Sequence, residues 1–184
     1  ASRSVMWVRL QPDTASRSVM WVRLQPDMRG RLKAAHDEAN AMNATAPPHP
    51  GPLAGMRVLE LTQIMAGPTA GMLLADMGAD VIKVEKLPGG DDARGYREPR
   101  VNGVSAPFLM MNRNKRGIAL NLKHPRGREI LLRMVRDADV LIENYRRGTL
   151  EKLGLGYDDV LLRANPGLVY CAVSGYGRDG PLHE

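Results

Sequence analysis

The stretch Val58–Tyr96, VLELTQIMAGPTAGMLLADMGADVIKVEKLPGGDDARGY, constrains the fold more than any other part of the chain. A short β-rich run meets a glycine-proline turn at Ala66-Gly67-Pro68. A segment of Ala, Leu and Met follows, and a second β-rich run then ends in Glu85-Lys86 and a loop. Strand, helix and strand at this spacing form one crossover unit, which calls for a parallel sheet.

The same alternation continues to the C-terminal side. Strands are predicted at Arg57–Leu61, Asp80–Val84, Gly117–Leu122, Val140–Glu143 and Leu168–Val173. A helix is expected over Thr69–Met77, stopped by Gly78 in the C′ position. Leu87–Gly95, with three glycines, reads as a loop. Pro125 opens a helix running to about Ala138, where its missing N–H costs nothing in the first turn. Ile130, Leu131, Met134 and Val135 share the inner face of that helix. Short helices are expected at Thr149–Leu153 and Tyr157–Ala164. The fold class is therefore α/β: a Rossmann-like, mostly parallel sheet with helices on both faces. Ligands on such sheets bind outside the carboxyl ends of the strands. Here those ends are Thr62–Gly67, Glu85–Gly90, Asn121–Lys123, Asn144–Gly148 and Ser174–Gly180.

The amino-terminal part has a different character. Ala1–Asp13 recurs unchanged as Ala15–Asp27. Structural repeats diverge and come in longer units, so a perfect copy points to recent duplication or to translation from a misplaced start. Residues 1–41 form a duplicated extension outside the core, disordered or helical, with a short helix expected over Arg29–Ala41. Residues 42–52 form a proline-rich linker. Residues 53–184 form the folded portion, and translation is expected to begin at Met28 or Met42.

Charge is divided evenly between these parts. Residues 1–41 carry seven Lys/Arg against four Asp/Glu, and the remainder carries 19 against 16. The body is thus only mildly basic, with no basic helix or aromatic-basic array of the kind that binds nucleic acid. No apolar run approaches the ~20 residues a membrane span requires. One cysteine, Cys171, allows no internal disulfide and fits a reducing cytoplasm. Within its apolar strand it is expected to be buried and inert.

Taken singly, the candidate features have ordinary readings. Gly67-Pro68 is a tight turn, and Asn112–Arg116 (NRNKR) a solvated basic loop. Asn144-Tyr145 would cap and pack a helix, and Lys86 and Lys152 would be surface charges. Asp91-Asp92 lacks a His or Asp partner at metal-ligand spacing and reads as polar loop; no metal is expected. His124 suits a helix start, and His183 a loop.

Taken in order, the same pieces resemble the class III CoA-transferases, the group of formyl-CoA, carnitine-CoA and bile-acid-inducible CoA-transferases. The pieces are Gly55-Met-Arg-Val-Leu-Glu-Leu61, Ala66-Gly-Pro68, the run from Leu74 to Glu85, Gly90-Asp91 and Arg94-Gly95. Asn112–Arg116, Leu120–Lys123, the run from Ala138 to Arg146, and Ser174-Gly-Tyr-Gly177 complete the set. The resemblance implies a two-domain fold of more than twice this length, of which this chain is an incomplete N-terminal half. It also implies an interlocked homodimer and transfer of CoA from an acyl-CoA to a carboxylic acid acceptor. In that chemistry an aspartate attacks the thioester and passes through an aspartyl-CoA intermediate. The family's aspartate lies beyond Glu184, so no catalytic residue is assigned here and the chain alone is expected to be inactive.

For coenzyme A itself the resemblance assigns Ile64, Met65 and Ala66 to the channel. Lys86 and Lys152 stand where family arginines approach the nucleotide. Leu120, Leu122 and Lys123 fall in the adenine-flanking segment, and Asn144 and Tyr145 match an Asn-Phe pair. Met65 replaces a glutamine of formyl-CoA transferase, which argues against a formyl or oxalyl substrate. Two alternatives stay open: an α-methylacyl-CoA racemase of the same fold, and a non-catalytic CoA-binding or interaction remnant.

Overall fold

The computed structural model describes residues 51–177 together with Val8–Arg9 and Trp21–Val22. The expected Arg29–Ala41 helix, most of the linker and His183 lie outside the described residues, as does nearly all of the duplicated extension. Val8–Arg9 pairs antiparallel with Trp21–Val22.

Five parallel strands form the sheet: β1 (Arg57–Leu61), β2 (Asp80–Lys86), β3 (Arg116–Leu120), β4 (Val140–Glu143) and β5 (Val169–Ala172). Their order is β3-β2-β1-β4-β5, so the chain reverses direction across the sheet between β1 and β4. That is the doubly wound order, whose switch point opens a crevice at the strands' carboxyl ends. Val58, Leu59 and Leu61 are fully buried in the central strand, as a strand covered on both faces requires.

Among the described residues five α-helices accompany the sheet: α1 (Ala66–Asp76), α2 (Ala106–Asn112), α3 (Pro125–Arg136), α4 (Thr149–Lys152) and α5 (Leu162–Ala164). The larger core joins Leu59, Leu61, Leu120 and Leu141 to Leu131 and Val135 of α3 and to Leu150, Leu155 and Leu161. On the opposite face Val58, Val81 and Ile142 meet Ala75 of α1 and Ala79. Small residues let α1 lie close to the sheet. A Cβ on Gly71 would fall 1.8 Å from Glu60 Oε2, and one on Gly67 2.4 Å from Thr62 Cγ2. The linker end docks on the far end of α1, where Leu53 N donates to Met77 O at 3.0 Å.

Several boundaries move for local reasons. Helix α1 starts at Ala66 rather than Thr69, because Pro68 within the first turn gives up an N–H that had no partner to lose. Gly78 follows its C-cap with φ +100, as expected. Strand β2 continues to Lys86 because β3 pairs with it as far as that residue. Within the expected loop, Asp92–Gly95 winds into a 3₁₀ turn capped by the Asp91 side chain, which accepts from Ala93 N. Sequence patterning misses α2 and the two-residue hairpin of Arg100–Val101 with Val104–Ser105. Their signal was local: Ser105 caps α2 by accepting from Phe108 N at 3.3 Å, and Pro107 sits in its first turn.

One burial expectation is overturned. Cys171 is exposed. It lies on edge strand β5, whose Val169 is 60% exposed, while Tyr170 turns inward to stack on Tyr157 at 4.5 Å.

Candidate functional site

The carboxyl ends of β1, β2 and β3 surround a pocket of about 230 Å³. Its apolar lining is supplied by Val84, Leu87, Leu120, Leu122, Leu153 and Tyr145, and its polar lining by Gln63, Glu85, Lys86, Asn121, Lys123 and Thr149. Among the sequence candidates, Lys86, Leu120, Leu122, Lys123 and Tyr145 meet here. Ile64, Met65, Ala66, Asn144 and Lys152 do not line it. Lys152 is exposed one residue before Leu153; Ile64 and Met65 lie exposed on the loop that continues from Gln63, and Ala66, also exposed, opens α1. Gln63, Glu85, Leu87 and Asn121 fall within the strand ends named from sequence but were not singled out as site residues, and Val84, Thr149 and Leu153 escaped the sequence reading. All of them are neighbours in sequence, or within a few residues, of candidates that were named.

Lys86 reaches back across the pocket rim. Its ammonium donates to Gln63 Oε1 at 3.0 Å and to Asp92 Oδ1 at 2.5 Å. Glu85, although part of the lining, is committed elsewhere: Arg94 donates to its Oε1 and Oε2, both at 2.6 Å. The Arg94 guanidinium also lies 3.8 Å over the Phe108 ring. Burial, reinforced by the charges of Glu143 and Asp91, pushes the Tyr145 phenol up to about 12. Tyr145 therefore stays neutral and serves as an apolar surface with a hydroxyl.

Beneath the loop after β1 lies a fully buried set of charges: Lys83, Glu60, Asp91 and Lys115, each at most 2% exposed. Two cations and two anions leave it neutral. The Lys83 ammonium meets Glu60 Oε1, Asp91 Oδ2 and the Thr62 carbonyl, each at 2.9 Å. Lys115 meets Glu60 Oε2 at 2.6 Å, the Pro68 carbonyl at 2.7 Å and Asn112 Oδ1 at 3.0 Å. Each ammonium thus makes two hydrogen bonds and one ion pair, while Glu60 Oε2 and Asp91 Oδ2 accept no hydrogen bond and are held by charge alone. Two sequence expectations are corrected here. Asp91 is not a polar loop residue but a buried partner of Lys83. Lys115 of the basic NRNKR stretch is not solvated, because Glu60 at the centre of β1 needs a second cation.

The pKa directions follow from this packing. Burial opposes ionisation of Asp91. The adjacent Lys83 charge and hydrogen bonds from Lys83, Ile64 and Ala93 outweigh it, and the carboxyl stays below its ordinary range. For Lys115 burial wins over the attraction of Glu60, and its pKa falls to about 8.

Asn144 occupies the switch point between β1 and β4. Its Oδ1 accepts from Gln63 N at 2.9 Å and its Nδ2 donates to Gln63 O at 2.8 Å. Next to it, the buried Glu143 accepts from Tyr145 N and from the Tyr170 hydroxyl. Among the described residues, no group of His, Cys, Asp and Glu could hold a metal ion. Nor, among them, is any helix long and apolar enough to cross a membrane.

A doubly wound sheet with such a pocket could serve many ligands, and comparison with known proteins narrows the choice. The sequence model of CoA-transferase family III matches residues 53–184. The chain belongs to CoA-transferase family III. Over 131 residues it is 49% identical to succinyl-CoA:glutarate CoA-transferase of Mus musculus, covering 71% of this chain and 30% of that protein. It is 47% identical over 139 residues to succinate–glutarate CoA-transferase of Agrobacterium fabrum, covering 72% and 34%. Among solved structures, a CAIB/BAIF family protein from Brucella suis superposes with a TM-score of 0.69 at 45% identity. That match covers 74% of this chain and 36% of the other. The chain therefore spans about a third of the length of these relatives.

Proposed function

We propose that this chain carries the coenzyme A-binding part of an enzyme that moves CoA from an acyl-CoA to a carboxylic acid. The observation that carries the reading is the pocket itself, an apolar floor at the ends of parallel strands with Lys86 and Lys123 among its lining residues. An adenine ring suits a floor of Leu120, Leu122 and Tyr145. The phosphates of CoA suit cations held on loop tips, namely Lys86, Lys123 and the nearby Lys152. The pantetheine arm would then run along Ile64, Met65 and Ala66, with Asn144 behind them.

The reaction we assign to the whole enzyme needs a carboxylate nucleophile. An aspartate oxygen attacks the donor thioester carbonyl and CoA thiolate leaves, giving a mixed anhydride. The thiolate then attacks the aspartyl carbonyl, releasing the donor acid and leaving an aspartyl-CoA thioester. The acceptor carboxylate repeats both steps in reverse, and the aspartate is regenerated. Acids at the pocket of this chain are poorly suited to that role. Glu85 is held by both nitrogens of the Arg94 fork, Asp91 is buried against Lys83, and Asp92 pairs with Lys86. The 184-residue chain alone would therefore bind CoA without transferring it. The relatives named for succinyl-CoA and glutarate, together with Met65, favour longer dicarboxylic acids such as succinate and glutarate over formate or oxalate as partners. A cytoplasmic, interlocked homodimer is the proposed state of the full-length protein.

Calorimetric titration of the chain with CoA, followed by a labelled-CoA exchange assay between succinyl-CoA and glutarate, tests the reading. Saturable binding with no exchange is expected. Absence of binding would defeat the CoA assignment, and turnover by this chain alone would defeat the assignment of the nucleophile to other residues.

A further inference from the structure

The turn after β1 is held with more machinery than an exposed loop ordinarily receives. Ile64 adopts φ +71, the left-handed region, where a β-branched side chain is strained. Both backbone hydrogen-bonding groups of the preceding Gln63 are taken by the Asn144 amide. Ile64 N donates to Asp91 Oδ1 at 2.9 Å. Asp91 cannot swing away, because Lys83 holds its other oxygen and Glu85 Oε2 accepts from its backbone N–H at 2.8 Å. The same Lys83 takes the Thr62 carbonyl, and Lys115 takes the Pro68 carbonyl. The segment from Thr62 to Pro68 is thus fixed at both ends and at its strained centre. What it presents outward is Ile64, 42% exposed, and Met65, 62% exposed, beside the pocket-lining Gln63.

Stability alone does not call for this arrangement, since apolar side chains of similar volume commonly serve as well as buried ions. A charged frame whose outward product is one strained turn is better understood as preorganisation of a contact surface. We propose that Asn144 and Asp91 are positioning residues that clamp the Gln63–Ile64 turn so that it receives the pantetheine-thioester arm of bound CoA. The inference rests on the CoA reading above. It gives Asn144 a different part from the direct ligand contact expected from sequence, because both ends of its amide are spent on Gln63.

The test uses the full 184-residue chain and two probes: CoA, which carries the arm, and 3′,5′-ADP, which lacks it. Asn144→Ala and Asn144→Asp are each expected to weaken CoA by about tenfold while 3′,5′-ADP changes by no more than about twofold. Asp91→Asn, which keeps an acceptor for Ile64 N, is expected to lose less CoA affinity than Asp91→Ala. Ile64→Gly relieves the strain, so adding Asn144→Ala to it should cost less CoA affinity than Asn144→Ala costs alone. Amide hydrogen exchange at Gln63 and Ile64, read without ligand, should speed up in both Asn144 variants. Equal losses for the two probes, or unchanged CoA affinity with faster exchange, would overturn the clamp. Should an Asp91 variant fail to fold, the Asn144 pair still decides. A wild-type chain that binds neither probe would overturn the CoA reading and this inference with it, a result distinct from any pattern among variants.

Discussion

Two neighbouring parts of the strand-end surface are built on opposite principles. The turn after β1 rests on buried charges paired with one another. The pocket between β2 and β3 rests on leucines, with its cations, Lys86 and Lys123, left exposed at the rim. Charges under the turn fix backbone positions to within hydrogen-bond tolerances. An apolar floor fixes only shape; Lys86 is held only by the exposed Asp92 and by Gln63, and Lys123 on its flexible stem adjusts to whatever anion arrives. The difference indicates where precision is needed: at the strained turn, and much less at the pocket floor.

The largest effect should come from breaking the charged frame. Lys83→Met removes the cation shared by Glu60 and Asp91 and leaves two buried carboxylates facing Lys115 alone. Urea unfolding should show a loss of about 3–5 kcal/mol, the usual cost of stranding a buried charge. Gly71→Ala attacks the same frame from α1, where the new methyl would collide with Glu60 Oε2. A loss of about 1–3 kcal/mol is expected. Gly95→Ala, with open space around it, is the neutral comparison in the same experiment.

The pocket should respond differently. Leu122→Asp places a carboxylate on the half-buried floor, so CoA affinity measured by titration should fall at least about tenfold. The melting temperature should move far less than in Lys83→Met.

How much of this contrast was legible in the sequence follows from its physical origin. β1, β4 and the inner face of α3 were readable because period and turn residues are local properties. The pocket floor was reached through the family resemblance at Leu120, Leu122 and Tyr145. The frame was not readable. In their ion pairs Lys83 stands 23 positions from Glu60 and 8 from Asp91, and Lys115 stands 55 from Glu60. Each one singly resembles a surface charge. Only the parallel register of β1 with β2, which sets Glu60 beside Lys83, brings them together. Cys171 misled for the complementary reason: an apolar strand reads as buried wherever it lies, and sequence does not say which strand forms an edge.

Two smaller effects sharpen the comparison. Between about pH 8 and 10.5 the unfolded chain keeps a proton on Lys115 that the folded chain releases. The unfolded state then binds more protons, so stability rises with pH across that window. Denaturation midpoints at pH 7.5, 8.5 and 9.5 should climb, and Lys115→Met should lose the climb. At the pocket rim, Lys123→Ala should weaken CoA by only about two- to fivefold, an effect that salt screens away, as for exposed ion pairs generally.

The most direct test of the CoA site is amide chemical-shift mapping of the isotope-labelled chain during titration with CoA. The expected result is a saturable set of shifts at Gln63, Lys86, Leu120–Lys123, Tyr145 and Leu153, continuing into Ile64 and Met65. Shifts confined to the outer edge at Val169–Cys171, or none at saturating CoA, would contradict it.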